Sequence, residues 1–196
     1  MNEEQIIKKY KLDYVDTVLV KDKGEIPEIK KTMVVKAFSE KPVHKTEKGL
    51  IFTNIDTREK AVNAFEKIKE MMKHEFEGVL IQEQIAGLEL MVGVKDDKTF
   101  GMVIAFGLGG IFVEVLKDIV FRTAPLDRNE ALKMIKETKA YSILKGARGK
   151  KYSIKKLVET MVKISRFAEN EKIEADFNPI IVNEKSAKIV DLRLIR

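Results

Sequence analysis

Residues 106–118 read FGLGGIFVEVLKD. Three glycines, Gly107, Gly109 and Gly110, stand between two apolar runs, and one acid, Glu114, is set among Ile111, Phe112, Val113, Val115 and Leu116. Glycine tolerates positive φ and close backbone approach, so the stretch predicts a turn between strands whose N–H groups could cradle an anion. A plain hairpin turn fits the same string, and Glu114 alone also fits an edge-strand carboxylate facing water.

Outward from that turn, β segments read over residues 79–85, 88–95, 101–106 and 111–123, broken by Gly87, by Asp96 and Asp97, and by the glycines. Strands so closely spaced predict an antiparallel sheet. Further upstream, Asn2 caps a short helix to Tyr10, a strand covers 14–20, and 21–31 is a polar connection. Strands over 32–38 and 50–55 flank the loop SEKPVHKTEKG. Asp56 and Glu59 read as a capping box for a helix whose apolar stripe is Ala61, Phe65, Ile68 and Met72. Downstream come helices over 127–138 and 153–168, the second with the stripe Ile154, Leu157, Met161 and Ile164. The basic glycine loop LKGARGKK separates them.

The chain closes on a hairpin, 173–182 and 187–195, around a four-residue turn at 183–186. That turn sets Asn178 opposite Asp191 and Asp176 opposite Arg193, and the period of two puts all four on one face with Phe177 and Leu192 behind. A carboxylate and an amide oxygen facing each other across strands can share one Mg²⁺ whose other positions go to water and phosphate. A polar sheet face with a surface Asp176–Arg193 pair fits the same register.

Composition narrows the classes. With 196 residues, 44% hydrophobic and 35% charged, the chain can bury a real core and is neither disordered nor membrane-spanning in character. The absence of cysteine excludes disulfides and thiolate chemistry, and two histidines leave little for zinc, so any metal should be a hard, oxygen-bound cation. The opening MNEEQIIKKY lacks the pattern of a secretory signal, which points to the cytoplasm. The net charge of +6 is local: residues 133–166 carry eleven basic and two acidic residues. Few aromatics interleave them and no nucleic-acid motif is present, so a solvated face or a docking surface for an acidic partner fits better than nucleic acid.

Lys36 ends the strand TMVVK, from which an ammonium can be aimed at phosphate charge, although many strands simply end in lysine. His44 is near neutral at cellular pH and could serve as a nucleophile or transient phosphate acceptor, or do nothing of the kind. His74, near a helix end, suits the helix dipole and gets no further role.

Taken together, VVKAF, HKTEKG, VLIQEQIAGLELMVGVKDDKTFG, FGLGGIFVEVLKDIVFRTAPL, EADFNPIIV and VDLRLI resemble one family, from about Lys31 to the C-terminus. This is the ATP-grasp β subunit, or β domain, of ADP-forming acyl-CoA (acetyl-CoA) synthetases, relatives of succinyl-CoA synthetase. The resemblance implies an α+β ATP-grasp domain of two lobes, 1–84 (shortened) and 85–196, with a nucleotide cleft between them. It implies ATP or ADP and Mg²⁺ as ligands, with Lys36, Glu83, Gln84, Ile85 (the adenine hinge), Glu89 (ribose), Gly109, Gly110 and Glu114 on the nucleotide. Asn178 and Asp191 match the Mg²⁺ ligands, Asp176 an acid near the phosphohistidine docking point, and His44 a second phosphoryl carrier. The implied partner is a CoA-binding α subunit carrying the phosphohistidine, so the chain would act in a hetero-oligomer and be inactive alone. The family loop usually reads HKTDVGG where this one reads HKTEKG, and the stretch before Lys36 is shorter. Those departures motivate an alternative, a non-catalytic nucleotide-binding or assembly subunit.

Overall fold

The computed structural model describes residues 1–39, 49–110, 118–146 and 149–195. The chain divides into two compact units, residues 15–85 and residues 1–14 with 86–196.

In the smaller unit, β1 (Thr17–Val20), β2 (Met33–Ala37), β3 (Ile51–Ile55) and β4 (Val79–Glu83) form an antiparallel sheet in the order β1-β4-β2-β3. Helix α2 (Arg58–Met72) packs on one face, and the expected stripe Ala61, Phe65, Ile68 and Met72 is buried against Val35, Ala37, Val79 and Ile81. Its cap lies one residue later than the expected Asp56–Glu59 box. Extended Thr57 accepts the Lys60 N–H at 3.2 Å, and Asp56 instead pairs with the Lys60 ammonium at 2.7 Å, one helical turn on. The connection 21–31 contains one 3₁₀ turn, Lys23–Glu25, capped by Asp22.

The larger unit holds β5 (Leu88–Asp97), β6 (Gly101–Leu108), β7 (Ile119–Thr123), β8 (Glu174–Val182), β9 (Ala187–Ile189) and β10 (Leu192–Ile195). The order is β10-β8-β5-β6-β7, every pair antiparallel, with β9 also on β8. Helices α3 (Arg128–Glu137), α4 (Ala140–Leu144) and α5 (Ile154–Glu171) follow β7. Leu157, Met161 and Ile164 of α5 join one core with Leu90, Val92, Ile104, Phe106 and Phe177. Because strand side chains alternate, that core takes one face of the sheet and leaves residues such as Glu89, Gly93, Asp176 and Asn178 on the other.

Residues 1–14, expected with the first lobe, group with the larger unit: helix α1 (Glu3–Lys9), capped by Asn2, buries Ile6 in the larger core, and the Tyr10 and Phe167 rings meet in a T-shaped contact. The strand expected over 111–123 is seen as β7 only from Ile119, while 111–117 lie outside the described residues.

Candidate functional site

The closing hairpin adopts the register that its turn implies. Asp176 faces Arg193 and Phe177 faces Leu192, while farther along Ile180 faces Ile189. Between these ladders the main chain of Asn178 donates to the Asp191 carbonyl at 3.2 Å, and Val190 donates to the Pro179 carbonyl at 3.0 Å. Proline has no N–H to give the neighbouring strand. On that side, Leu90 pairs with Ile180 and Val92 with Phe177, so β8 carries one residue more than β5 over this interval. The result is a bulge in β8 at 178–179 against β5, while the register with 190–191 on the other side stays continuous; a bulge re-aims the side chains it carries.

Three neighbours, Asp191, Asn178 and Arg193, act on the Asp176 carboxyl. Burial pushes the Asp176 carboxyl up, and the Asp191 charge adds to the rise, while a hydrogen bond from Asn178 and the Arg193 charge pull the other way. The register therefore matches expectation, but Arg193 does not dominate: the balance at Asp176 is set by desolvation and a second acid. Crowded carboxylates beside an amide oxygen are what a hard cation relieves. Among the described residues no three His, Cys, Asp or Glu cluster to hold a metal on their own. Two protein oxygens with water and phosphate completing the shell remain a donor set that suits Mg²⁺.

A second group lies on the same sheet face. Glu89 and Gly93 are four residues apart on β5, and Gly93 faces Asp176. The Glu89 carbonyl accepts the Gly109 N–H at 2.9 Å. A β carbon at Gly109 would lie 3.1 Å from the Glu89 carbonyl carbon, and one at Gly110, where φ is +61°, would lie 3.1 Å from Glu89 Oε2. Gly109 is thus needed for close approach to the Glu89 main chain, whereas at Gly110 the carboxylate end can give way and the positive φ is what favours glycine. The anion-cradle expectation is corrected in part, since Gly107 lies within β6 and the Gly109 N–H is engaged by Glu89.

In the smaller unit, Lys36 lies on β2 between Leu80 and Ile51, alternates with Val35 and Ala37, and is only 5% exposed. Of the expected hinge residues, Glu83 ends β4 and Gln84 and Ile85 follow it. The Glu83 carboxylate pairs with Lys31 at 3.0 Å, and the Gln84 N–H donates to the Thr32 carbonyl at 2.9 Å. Gln84 Oε1 accepts the Asn54 main-chain N–H at 2.7 Å while its Nε2 donates to Asn54 Oδ1 at 3.2 Å. Ile85 is the last residue of this unit. Asn54 was not singled out from the sequence, although an asparagine closing a strand is a residue type that tolerates its φ of 58°. His44 and Glu114 lie outside the described residues.

The chain matches the model of the ATP-grasp domain family over residues 1–195. It is 39% identical over 198 residues to the acetate–CoA ligase (ADP-forming) I subunit beta of Pyrococcus furiosus, covering 96% of this chain and 84% of that one. It is 38% identical over 165 residues to acetate–CoA ligase (ADP-forming) II of Archaeoglobus fulgidus, covering 83% of this chain and 24% of that one. The chain thus spans about a quarter of the Archaeoglobus relative's length and most of the Pyrococcus β subunit's. Among solved structures, Ca. Korarchaeum cryptofilum dinucleotide forming acetyl-coenzyme A synthetase 1, in complex with coenzyme A, Ca-AMPCP and HgCl+, is similar at a TM-score of 0.88 and 36% identity, covering 98% of this chain and 90% of that one. No helix among the described residues is long and apolar enough to cross a membrane.

Proposed function

The chain belongs to the ATP-grasp domain family, and from that premise we propose that it is the nucleotide-binding β subunit of an ADP-forming acyl-CoA synthetase. With a CoA-binding α subunit it would convert acyl-CoA, ADP and phosphate to free acid, CoA and ATP in the cytoplasm. Phosphate displaces CoA to give an acyl phosphate on the partner. A partner histidine takes the phosphoryl group, releasing the acid, and delivers it to ADP on this chain.

The observation that carries the reading is the facing pair Asn178 and Asp191, Asn178 standing where β8 bulges against β5, with Asp176 beside them. In the proposal these two residues hold Mg²⁺, and Asp176 orients the incoming phosphohistidine. Bound Mg²⁺ would neutralise phosphate charge as the phosphoryl group moves. Lys36 adds positive charge for the phosphates, Glu89 accepts hydrogen bonds from the ribose, and residues 83–85 meet the base. Gly109 and Gly110, with Glu114, shape the phosphate side. His44 serves as a second carrier. The relative solved in complex with Ca-AMPCP supports a nucleotide with a divalent cation, and the Pyrococcus relative's being a subunit beta supports a subunit that works with others.

The test is reconstitution with a CoA-binding α subunit from the same source, measuring acyl-CoA-dependent ATP synthesis. Turnover by the mixture and none by this chain alone is the expected result. Mg·ADP binding without turnover, while a control enzyme works, would favour the non-catalytic alternative.

A further inference from the structure

We infer that Asn54 is a positioning residue for the nucleotide base, acting through Gln84; this rests on the proposed placement of residues 83–85 at the base. The geometry is two-point. Asn54 gives its main-chain N–H to Gln84 Oε1 at 2.7 Å and accepts Gln84 Nε2 on Oδ1 at 3.2 Å. The main-chain donor fixes which end of the Gln84 amide faces it, because only the oxygen can accept. The second bond then follows without ambiguity.

A free glutamine side chain has the rotamer freedom of a long polar chain and would compete with a base for the donors and acceptors around it. Here that freedom is removed from within the same unit. The Gln84 N–H is held by the Thr32 carbonyl, and the preceding Glu83 carboxylate is held by Lys31. Three restraints, one from β3 and two from the residues just before β2, thus converge on two adjacent hinge positions. With the Gln84 side chain tied to Asn54 and the Glu83 carboxylate to Lys31, main chain is the fixed part of the segment that a base would meet. Asn54 carries this restraint at a φ of 58°, a conformation that asparagine and glycine adopt readily.

The full chain is titrated calorimetrically with Mg·ADP and, separately, with Mg·pyrophosphate, which lacks the base. Asn54→Gly keeps the main-chain N–H and the backbone conformation but deletes Oδ1. Asn54→Asp restores an acceptor and tolerates the same φ. Loss of one neutral hydrogen bond predicts ADP binding weaker by roughly three- to tenfold for Asn54→Gly. Pyrophosphate binding should be unchanged, and Asn54→Asp should lie close to wild type. In a Gln84→Ala background, Asn54→Gly should cause no further loss. Equal weakening of ADP and pyrophosphate, or a fall in thermal midpoint with unchanged ADP affinity, overturns the inference and leaves Asn54 structural. Absence of ADP binding by the wild-type chain overturns the nucleotide reading as well.

Discussion

Asn178 donates its main-chain N–H to the Asp191 carbonyl at 3.2 Å, which fixes the two residues across the closing hairpin beside Asp176, where β8 bulges against β5. Asp191→Ala should therefore remove Mg²⁺-dependent nucleotide binding without unfolding the unit. The fold here rests on the main chain of 191 and on Phe177 and Leu192 behind it. Mg·ADP affinity should fall by at least about tenfold, with Asp191→Asn intermediate because it keeps an oxygen but not the charge. Calorimetric titration with and without Mg²⁺ decides, and an unchanged Mg²⁺ dependence in Asp191→Ala would remove this pair from the site.

Gly109→Ala should destabilise the larger unit more than Gly101→Ala. At Gly109 the added carbon meets main chain, at 3.1 Å from the Glu89 carbonyl carbon, so β5 and the end of β6 must part and the bond to the Glu89 carbonyl weakens. Such overpacking costs about 1–3 kcal/mol. At Gly101 nothing lies within 4 Å and only the positive φ of 71° is strained, at about 1 kcal/mol. Urea midpoints of the two variants, in the wrong order, would contradict the close approach to Glu89.

Much of this arrangement is legible in the residues, and the rest is not for identifiable reasons. The stripe Ala61, Phe65, Ile68, Met72 follows the helical period, and a four-residue turn leaves one register for 174–195, so both emerge from local rules. The cap at Thr57 differs from the expected Asp56 by one residue, because both types cap well and only backbone conformation separates them. The Asn54–Gln84 tie joins residues thirty apart through a positive φ, which periodicity does not encode. At Asp176 the register shows Arg193 opposite, but burial and Asp191 decide its ionisation. The helix at 3–9 shows an apolar side without showing which core receives it.

Ile6→Ala tests that last point. Ile6 is fully buried in the larger core, so truncation should cost about 2–5 kcal/mol. The loss should fall on the larger unit. Amide hydrogen exchange should quicken in β8, β10 and α5, while β2 and β4 keep their protection. Faster exchange confined to β1–β4 would return residues 1–14 to the smaller unit.

The same N-terminal segment predicts a pH dependence. The Glu171 carboxylate, at the last turn of α5, accepts from the Lys9 ammonium at 2.6 Å and from the Tyr10 phenol, and these two bonds, Lys9's the larger, hold its pKa below the ordinary glutamate range. An acid at a helix C-terminus opposes the helix dipole, so the partners offset a local cost. A carboxylate whose folded pKa is depressed contributes stability that is present above the unfolded value, about 4.3, and is lost as pH falls through the folded one. Glu171→Gln should therefore be less stable than wild type at pH 7 by about 1 kcal/mol, discounted for partial exposure. The gap should close as the pH drops below about 4.3 and the wild-type carboxylate is protonated. Denaturation midpoints measured from pH 3 to 8 would show the two curves converging on the acid side, and parallel curves would mean that the cluster adds nothing to folding.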